Sequence, residues 1–153
     1  MLAFQPHRES NGPDDCLPDY PKLLNTVEVD QWFWSLFPSG PVLLDEAAVK
    51  RYAESVPDDF LFTIKAPNSL TLKHFYAKQP KIYQAHANRP NGHFLSVVLL
   101  RRFLDRLAPM GKKVGVIMLQ FEYLNRAKMP SLDAFFEKLH GFFAGAPRDP
   151  VRY

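Results

Sequence analysis

Three short apolar runs alternate along the chain with segments whose apolar residues recur at helical spacing. The runs are residues 23–29 (LLNTVEV), 60–65 (FLFTIK) and 114–120 (VGVIMLQ). The first is rich in β-branched residues, and the third is apolar throughout its interior, which is typical of a strand covered on both faces of a parallel sheet. We therefore predict three strands, and Val151 would begin a fourth.

Each predicted strand is followed by a predicted amphipathic helix. Asp45 is placed to cap the first helix, which Pro57 ends. The second helix covers roughly residues 93–108 and stops near Gly111, and Ser131 caps the third. The apolar faces, which we expect to be core, are Val49, Tyr52, Ala53 and Val56, then Val97, Leu100, Leu104 and Leu107, then Leu132, Phe135, Phe136, Leu139, Phe142 and Phe143.

Repeated strand–helix units predict an α/β fold with a parallel sheet. Two architectures fit this pattern, an open doubly wound sheet and part of an eight-stranded TIM-type βα barrel. No GxGxxG turn, P-loop or GxSxG motif is present, which argues against dinucleotide binding and against these nucleophile and phosphate sites. Residues 1–19 are polar and rich in proline, and they predict a flexible tail before a domain spanning residues 20–153.

Polar side chains close each predicted strand. Glu28 and Asp30 end the first run, Lys65 ends the second, and Gln120 ends the third, with Glu122 just beyond. The carboxyl ends of parallel strands emerge on one side of a sheet, where sites form. Neighbouring strands lie ~4.8 Å apart, so a Glu28–Lys65 pair is within reach, and a buried ammonium needs a partner or a bound anion.

Two interpretations of this cluster are open. In one, Glu28, Lys65 and Gln120 only satisfy each other's polar groups at the end of the sheet. In the other they are catalytic: Lys65 holds an anionic substrate or stabilises developing negative charge, Glu28 is its partner or a base, and Gln120 orients the substrate. These residue types do not specify a reaction class, so whether the protein is an enzyme stays open.

The loop after the second strand adds positive charge and aromatic rings. No Asp or Glu occurs from Phe60 to Leu104. This pattern predicts a small anionic or phosphorylated molecule as the ligand, with Asp30, Asn68, Lys73 and His74 as substrate-binding residues. Nucleic acid bound along residues 60–104 is the alternative partner. The loop's aromatic side chains would otherwise simply pack onto the sheet.

Two further clusters carry weaker signals. Glu28, Asp30, His74 and Glu122 are potential metal ligands, but no HxH or HExxH spacing supports a metal site, and we predict neither a metal nor a cofactor. The aromatic residues Trp32, Phe33, Trp34 and Phe37 could stack against a sugar, although such clusters are more often core beneath a loop.

Composition limits the class of protein. The chain has 153 residues, 46% of them apolar and 23% charged, as expected for one globular domain. No apolar run approaches the ~20 residues that span a bilayer, and the N-terminus lacks the features of a secretory signal. The single cysteine, Cys16, cannot form an internal disulfide. We therefore expect a cytoplasmic protein that does not contact membranes.

With these residues in view, the sequence resembles the domain of unknown function 72 family, also called YecE-like. The resemblance rests on the segments LNTVEVDQWFWSLFP, FLFTIKAPNSLTLKHFY and VGVIMLQFEYLN, which look like the family's second, third and fourth strand motifs in order. It spans about residues 20–153 and implies a βα-barrel fold without an assigned reaction. The family's strand-end pattern would place Glu28, Lys65, His74 and Gln120 at the barrel mouth.

The sequence departs from this family at both ends. Members open with a first strand ending in a Gly-Thr-Ser-Gly-Trp-like segment, which residues 1–19 lack, and they continue through a fifth to an eighth strand. The resemblance therefore implies an incomplete barrel of about strands 2–4, the start of strand 5 and three helices. A truncated, inactive fragment is the third interpretation, and its open strand edges would favour self-association.

Overall fold

The structure, a computed structural model, describes residues 13–78 and 80–148. Its strands are β1 (Thr26–Val29), β2 (Leu36–Phe37), β3 (Gly40–Pro41), β4 (Leu61–Lys65) and β5 (Val114–Met118). Its α-helices are α1 (Glu46–Glu54), α2 (Asn68–Thr71), α3 (Val97–Leu107) and α4 (Leu132–Gly145), and 3-10 helices cover Pro13–Lys22, Lys81–His86 and Ala108–Lys113. Residues 1–12 and the start of a fourth strand predicted at Val151 lie outside the described residues.

The main sheet is parallel, with strand order β1-β4-β5, and this confirms the predicted mixed α/β fold. A small antiparallel pair, β2 and β3, follows β1 and was not predicted. In the described part of the chain the parallel sheet has three strands, so the eight-stranded barrel stays a prediction. β1 and β5 form the edges of this sheet, and self-association through them also stays a prediction.

Alternation along β4 separates the two faces of the sheet. Phe62 and Ile64 are fully buried, and the Tyr52 ring of α1 lies 6.2 Å from the Phe62 ring. Leu61, Thr63 and Lys65 therefore belong to the opposite face, where Leu61 is 44% exposed. The helices thus pack on one face of the sheet, and Lys65 projects from the other.

An extra residue interrupts the ladder between β4 and β5. Phe62 faces Val114 but Thr63 faces Val116, so Gly115 is left between them as a bulge. A Cβ atom at Gly115 would lie 3.3 Å from the Phe62 carbonyl oxygen, a tight approach that favours glycine. Beyond the bulge, Met118 is the neighbour of Lys65 in the ladder.

The helix caps largely agree with the sequence patterns. The Asp45 carboxylate accepts a hydrogen bond from the Ala48 amide at 3.0 Å, and the Ser131 hydroxyl accepts one from the Ala134 amide at 3.1 Å. α3 begins at Val97 rather than near residue 93, because Ser96 supplies its cap.

The fully buried core around these helices includes Val49, Phe62, Ile64, Leu100, Phe103 and Ile117.

One prediction about burial needs correction. Leu132 and Phe136 were expected to be core, but 65% and 55% of them are exposed, and in α4 only Phe142 is buried. The apolar stripe of α4 therefore extends beyond the surface that the described residues cover. Leu17, in the segment predicted as a tail, is buried in the hydrophobic core.

Lys113 connects the sheet to the C-terminal end of α1 through hydrogen bonds. It lies at the end of the sheet opposite Lys65. Its ammonium donates to the carbonyl oxygens of Ala53 at 2.6 Å and Val56 at 2.8 Å, and it lies 3.4 Å from the Asp58 carboxylate. The Ala53 carbonyl belongs to the last turn of α1, where a cation is favourable, and Val56 lies two residues past the end of the helix. No helix among the described residues is long and apolar enough to cross a membrane.

Candidate functional site

Lys65 joins two carboxylates at the carboxyl ends of β1 and β4. Its ammonium lies 2.8 Å from the Asp30 carboxylate and 3.3 Å from the Glu28 carboxylate. Glu28 is the register partner of Thr63, and Asp30 follows one residue after β1, so both reach Lys65 from the neighbouring strand. The predicted Glu28–Lys65 pair therefore forms, and Asp30 is the nearer partner. We call Glu28, Asp30 and Lys65 the strand-end trio.

The surroundings of the trio keep Lys65 charged. The side chain of Lys65 is only 11% exposed, and its ammonium lies 5.5 Å from the centre of the Phe33 ring. Hydrogen bonding to Asp30 raises the pKa of Lys65 above its usual value, and burial opposes that effect. With one ammonium and two carboxylates, the trio carries one net negative charge, and its most exposed member is Asp30 at 64%.

Gln120 does not join this trio. β5 ends at Met118, so Gln120 lies two residues past the strand with an exposed side chain. Within residues 13–78 and 80–148 it forms no hydrogen bond with Lys65 or Glu28. A catalytic role for Gln120 stays a prediction without a contact that supports it.

Asn68 has a structural task that the sequence did not indicate. It is 2% exposed, and its side-chain oxygen accepts hydrogen bonds from the Ser35 amide at 2.9 Å, the Ser35 hydroxyl at 3.1 Å and the Leu36 amide at 2.8 Å. The main-chain N–H of Asn68 in turn donates to the main-chain carbonyl of Phe33 at 2.7 Å. These bonds hold the segment after β1 against α2, and they leave this oxygen without capacity for a ligand.

A second charged group lies beside the loop after β4. Glu122 is 13% exposed, and its carboxylate accepts a hydrogen bond from the Lys73 amide at 3.0 Å and another from the Lys128 ammonium. The Lys73 ammonium points elsewhere and lies 5.5 Å from the centre of the Phe94 ring. Glu122 thus ties the segment after β5 to the segment after β4.

His74 is held neutral next to this group. Burial lowers the pKa of His74, the positive charges of Lys128 and Lys73 lower it further, and Glu122 partly offsets them. The His74 Nδ1 atom is buried without a hydrogen-bond partner among the described residues. Burial also raises the pKa of Tyr76, with a contribution from Glu122. His74 and Glu122 therefore lie close together, as a group separate from the trio's hydrogen bonds.

The aromatic segment after β1 divides between core and surface. Phe33 is buried beneath Lys65, as expected of core, whereas Trp34 is 63% exposed. The Trp34 ring lies 5.4 Å from the Phe33 ring and 5.7 Å from the Tyr76 ring. Trp34 and Tyr76 line a cavity of about 200 Å³ together with Phe37, Phe75 and Tyr83. This aromatic cleft adjoins the trio through Phe33.

Comparison with known proteins identifies the family. The family model described as "Protein of unknown function DUF72" matches residues 3–146. The chain belongs to the DUF72 family. The sequence matches no curated protein.

Two crystal structures of a DUF72 family protein from Enterococcus faecalis resemble this chain. Both are 19% identical to it. One covers 90% of this chain with a TM-score of 0.51, and the other covers 88% with a TM-score of 0.49. The chain spans 46% and 41% of the lengths of those proteins, so it corresponds to less than half of either solved structure. At this identity the likeness concerns the fold alone.

Within this DUF72 chain, sequence reasoning missed the polar contacts made by loops. Lys128 and Ser35 carry no motif or periodic signal, yet they bond to Glu122 and Asn68. Asp30 was predicted as a substrate contact rather than as the main partner of Lys65. No group of three His, Cys, Asp or Glu side chains in the described part of the DUF72 chain is arranged to hold a metal ion.

Proposed function

We propose that this DUF72 protein binds a small hydroxyl-bearing metabolite at the strand-end trio, with Asp30 as the main contact. The observation that carries the proposal is the Lys65 ammonium, nearly buried and shared by two carboxylates, of which Asp30 is mostly exposed. Lys65 holds both carboxylates in place. Carboxylates held in this way accept hydrogen bonds from hydroxyl groups.

The charge of the trio favours a neutral or cationic ligand over the anionic ligand expected from the sequence. An anionic group brought to Lys65 would meet Glu28 and Asp30 as well, and it would have to displace one of them. A neutral or cationic ligand meets no such repulsion. The nearby Phe33–Trp34 pair supports a sugar or polyol, because the C–H faces of such rings pack on aromatic side chains.

The trio also supports an enzyme-like role. Since the pKa of Lys65 is raised, Lys65 stays an ammonium near neutral pH and cannot serve as a base. In a reaction, Asp30 would accept a proton from a substrate hydroxyl, and Lys65 would stabilise the negative charge that develops on the substrate. Gln120 has no part in this scheme.

We further propose that the sheet is part of a βα barrel. Helices pack against Phe62 and Ile64 on one face, while the Lys65 face carries partly exposed Leu61 and Val116. Cover on a single face supports a barrel segment over a doubly wound sheet, which has helices on both faces. An apolar residue such as Val116 would then face the barrel interior.

Ligand-dependent thermal stability of the full chain tests the proposed function. Glucose, glucosamine and glucuronate share a ring and differ in charge, so they probe the electrostatics of the trio. We expect glucosamine and glucose to raise the melting temperature, and Asp30→Asn to abolish the rise. Asp105→Asn, an exposed acid on α3, is the matched control. A rise produced by glucuronate alone, and unchanged in Asp30→Asn, would contradict the proposal.

Nucleic-acid binding along residues 60–104 is the second candidate. The aromatic cleft supports it, because exposed rings such as Trp34 stack bases. Two of the basic residues are engaged within the protein, since Lys65 pairs with carboxylates and the Arg101 guanidinium donates to the Gly145 carbonyl at 3.1 Å. Binding of single-stranded RNA that weakens steeply between low and moderate salt would favour this candidate.

A further inference from the structure

We propose that the cavity between residues 91–97 and α4 binds a small aryl anion, such as an aryl phosphate, through Lys73 and Lys138. The site is distinct from the strand-end trio, and it would hold for any function of the trio. The cavity has a volume of about 410 Å³. Its lining consists of Lys73, Asn91, Gly92, Phe94, Leu95, Val97, Lys138, Gly141 and Phe142.

Charge selects an anion for this cavity. Two lysines line it and no carboxylate does. Neither ammonium forms an ion pair among the described residues, whereas Lys65 and Lys128 each contact a carboxylate. Two like charges at one void repel each other, and a bound anion removes that repulsion. The cavity therefore takes a negative group between Lys73 and Lys138.

Lys73 is held at the cavity wall by its own main chain. Its amide donates to the Glu122 carboxylate at 3.0 Å, and its carbonyl accepts from the Asn91 amide at 2.9 Å. Asn91 is buried, and its side chain donates to the carbonyl oxygens of Ser69 and Leu72. The backbone beneath the Lys73 ammonium is thus fixed before any ligand binds, which lowers the entropic cost of binding.

Backbone strain occurs at the same wall. Leu95 adopts a φ of +54°, a left-handed conformation that a branched side chain rarely takes. The Leu95 amide donates to the Leu70 carbonyl at 2.9 Å, which holds it there. Strain maintained in this way concentrates at ligand-binding segments. Leu95 itself lines the cavity, and it lies next to Ser96, the cap of α3.

The space beside α4 and the Phe94 ring indicate that the ligand carries an aromatic group. Gly141 lies inside α4, where glycine is unfavourable, and a Cβ added there would meet no atom within 4 Å. The glycine therefore keeps the cavity wide at this point. Phe94 and Phe142 line the same space with aromatic rings, which suit a planar apolar group attached to the anion.

Titration calorimetry on the full chain with phenyl phosphate tests the site. We expect saturable binding that weakens about tenfold or more in Lys138→Met, because a charge contact is lost, and in Gly141→Leu, because the added side chain fills the cavity. Lys138 is exposed and Leu is a better helix former than Gly, so both variants should fold. Lys112→Met, at the other end of the sheet, is expected to bind as the natural protein does.

Three results would overturn the proposal. These are no saturable binding of phenyl phosphate at millimolar concentration, equal binding of phenol, and equal weakening by Lys112→Met, which would indicate general attraction to positive charge. Asp30→Asn separates this site from the proposed function of the trio, because it should abolish glucosamine stabilisation while phenyl phosphate binding stays within about twofold.

Discussion

The Lys65 ammonium reaches the Glu28 carboxylate at 3.3 Å although the two residues are offset by two positions in the ladder between β1 and β4. The register partner of Glu28 is Thr63, and the flexible stem of Lys65 spans the offset. The same stem places the ammonium 2.8 Å from Asp30, beyond the end of β1. One lysine thus holds a strand residue and a loop residue together.

Replacement of Lys65 by methionine tests this arrangement. Lys65→Met leaves two carboxylates close together without a counter-charge, and water screens them in part because both are partly exposed. We expect the free energy of unfolding to fall by about 1–2 kcal/mol in urea titrations at pH 7. Lys50→Met removes the exposed Lys50–Glu54 pair on α1 and should cost about 0.5 kcal/mol or less.

The stability difference between the natural protein and Lys65→Met should depend on pH in the alkaline range. The pKa of Lys65 is raised in the folded state, so its stabilising contribution is full below the ordinary value of 10.5 and is lost as pH rises through the folded pKa. The difference in unfolding free energy between the natural protein and Lys65→Met should be constant between neutral pH and the ordinary pKa of 10.5. It should shrink at higher pH. A difference that grows with alkaline pH would contradict this account.

His74 should make the protein sensitive to mild acid. Its pKa is lowered in the folded state, so below the ordinary value of 6.5 the unfolded chain binds more protons than the folded one. Stability is therefore expected to fall as pH drops through this range, and His74→Gln should reduce the slope of unfolding free energy against pH. His140→Gln, at an exposed position on α4, is the control, and equal slopes in the two variants would refute the prediction.

Asn68 should be a major contributor to stability. Asn68→Ala removes an oxygen that accepts three hydrogen bonds and leaves the buried Ser35 groups without that partner. We expect a loss of about 2–4 kcal/mol by chemical denaturation. Asn125→Ala is a matched control, because Asn125 also accepts from two amides, those of Ala127 and Lys128, but at an exposed position. It should cost about 1 kcal/mol or less.

Lys113 should stabilise the last turn of α1. Lys113→Met removes a nearly buried ammonium that donates to the Ala53 and Val56 carbonyls, and we expect a loss of about 1–2 kcal/mol. The exposed neighbour Lys112 lines the adjacent cavity, and Lys112→Met should stay within about 0.5 kcal/mol. Equal thermal denaturation midpoints for the two variants would show that the carbonyl contacts contribute little.

Elements with a periodic signal were predictable from the sequence. β4 and β5 appear as apolar runs, and their parallel order follows from the helices between them. The parallel pairing of β1 with β4 brings Glu28 close to Lys65. Gln120 was misplaced for a local reason: the apolar run continues through Leu119, but the strand ends at Met118. Apolar content does not mark the residue at which ladder bonds stop.

Loop contacts were not predictable because they depend on residues far apart in sequence. Asn68 and Ser35 are separated by 33 positions, and their bonds involve main-chain groups that every sequence has. The same holds for Glu122 and the Lys73 amide, 49 positions apart. The segment after β4 also contains α2 and a 3-10 helix, which are too short to show helical periodicity.

The bulge at Gly115 determines which side chain accompanies Lys65. Without the extra residue, continuous pairing from Phe62 and Val114 would bring Ile117 opposite Lys65 and remove Ile117 from the core. The flexible thioether of Met118 takes that place instead. The unpaired glycine therefore determines which β5 side chain stands beside the ammonium, while both carboxylates keep their positions on the opposite flank of β4.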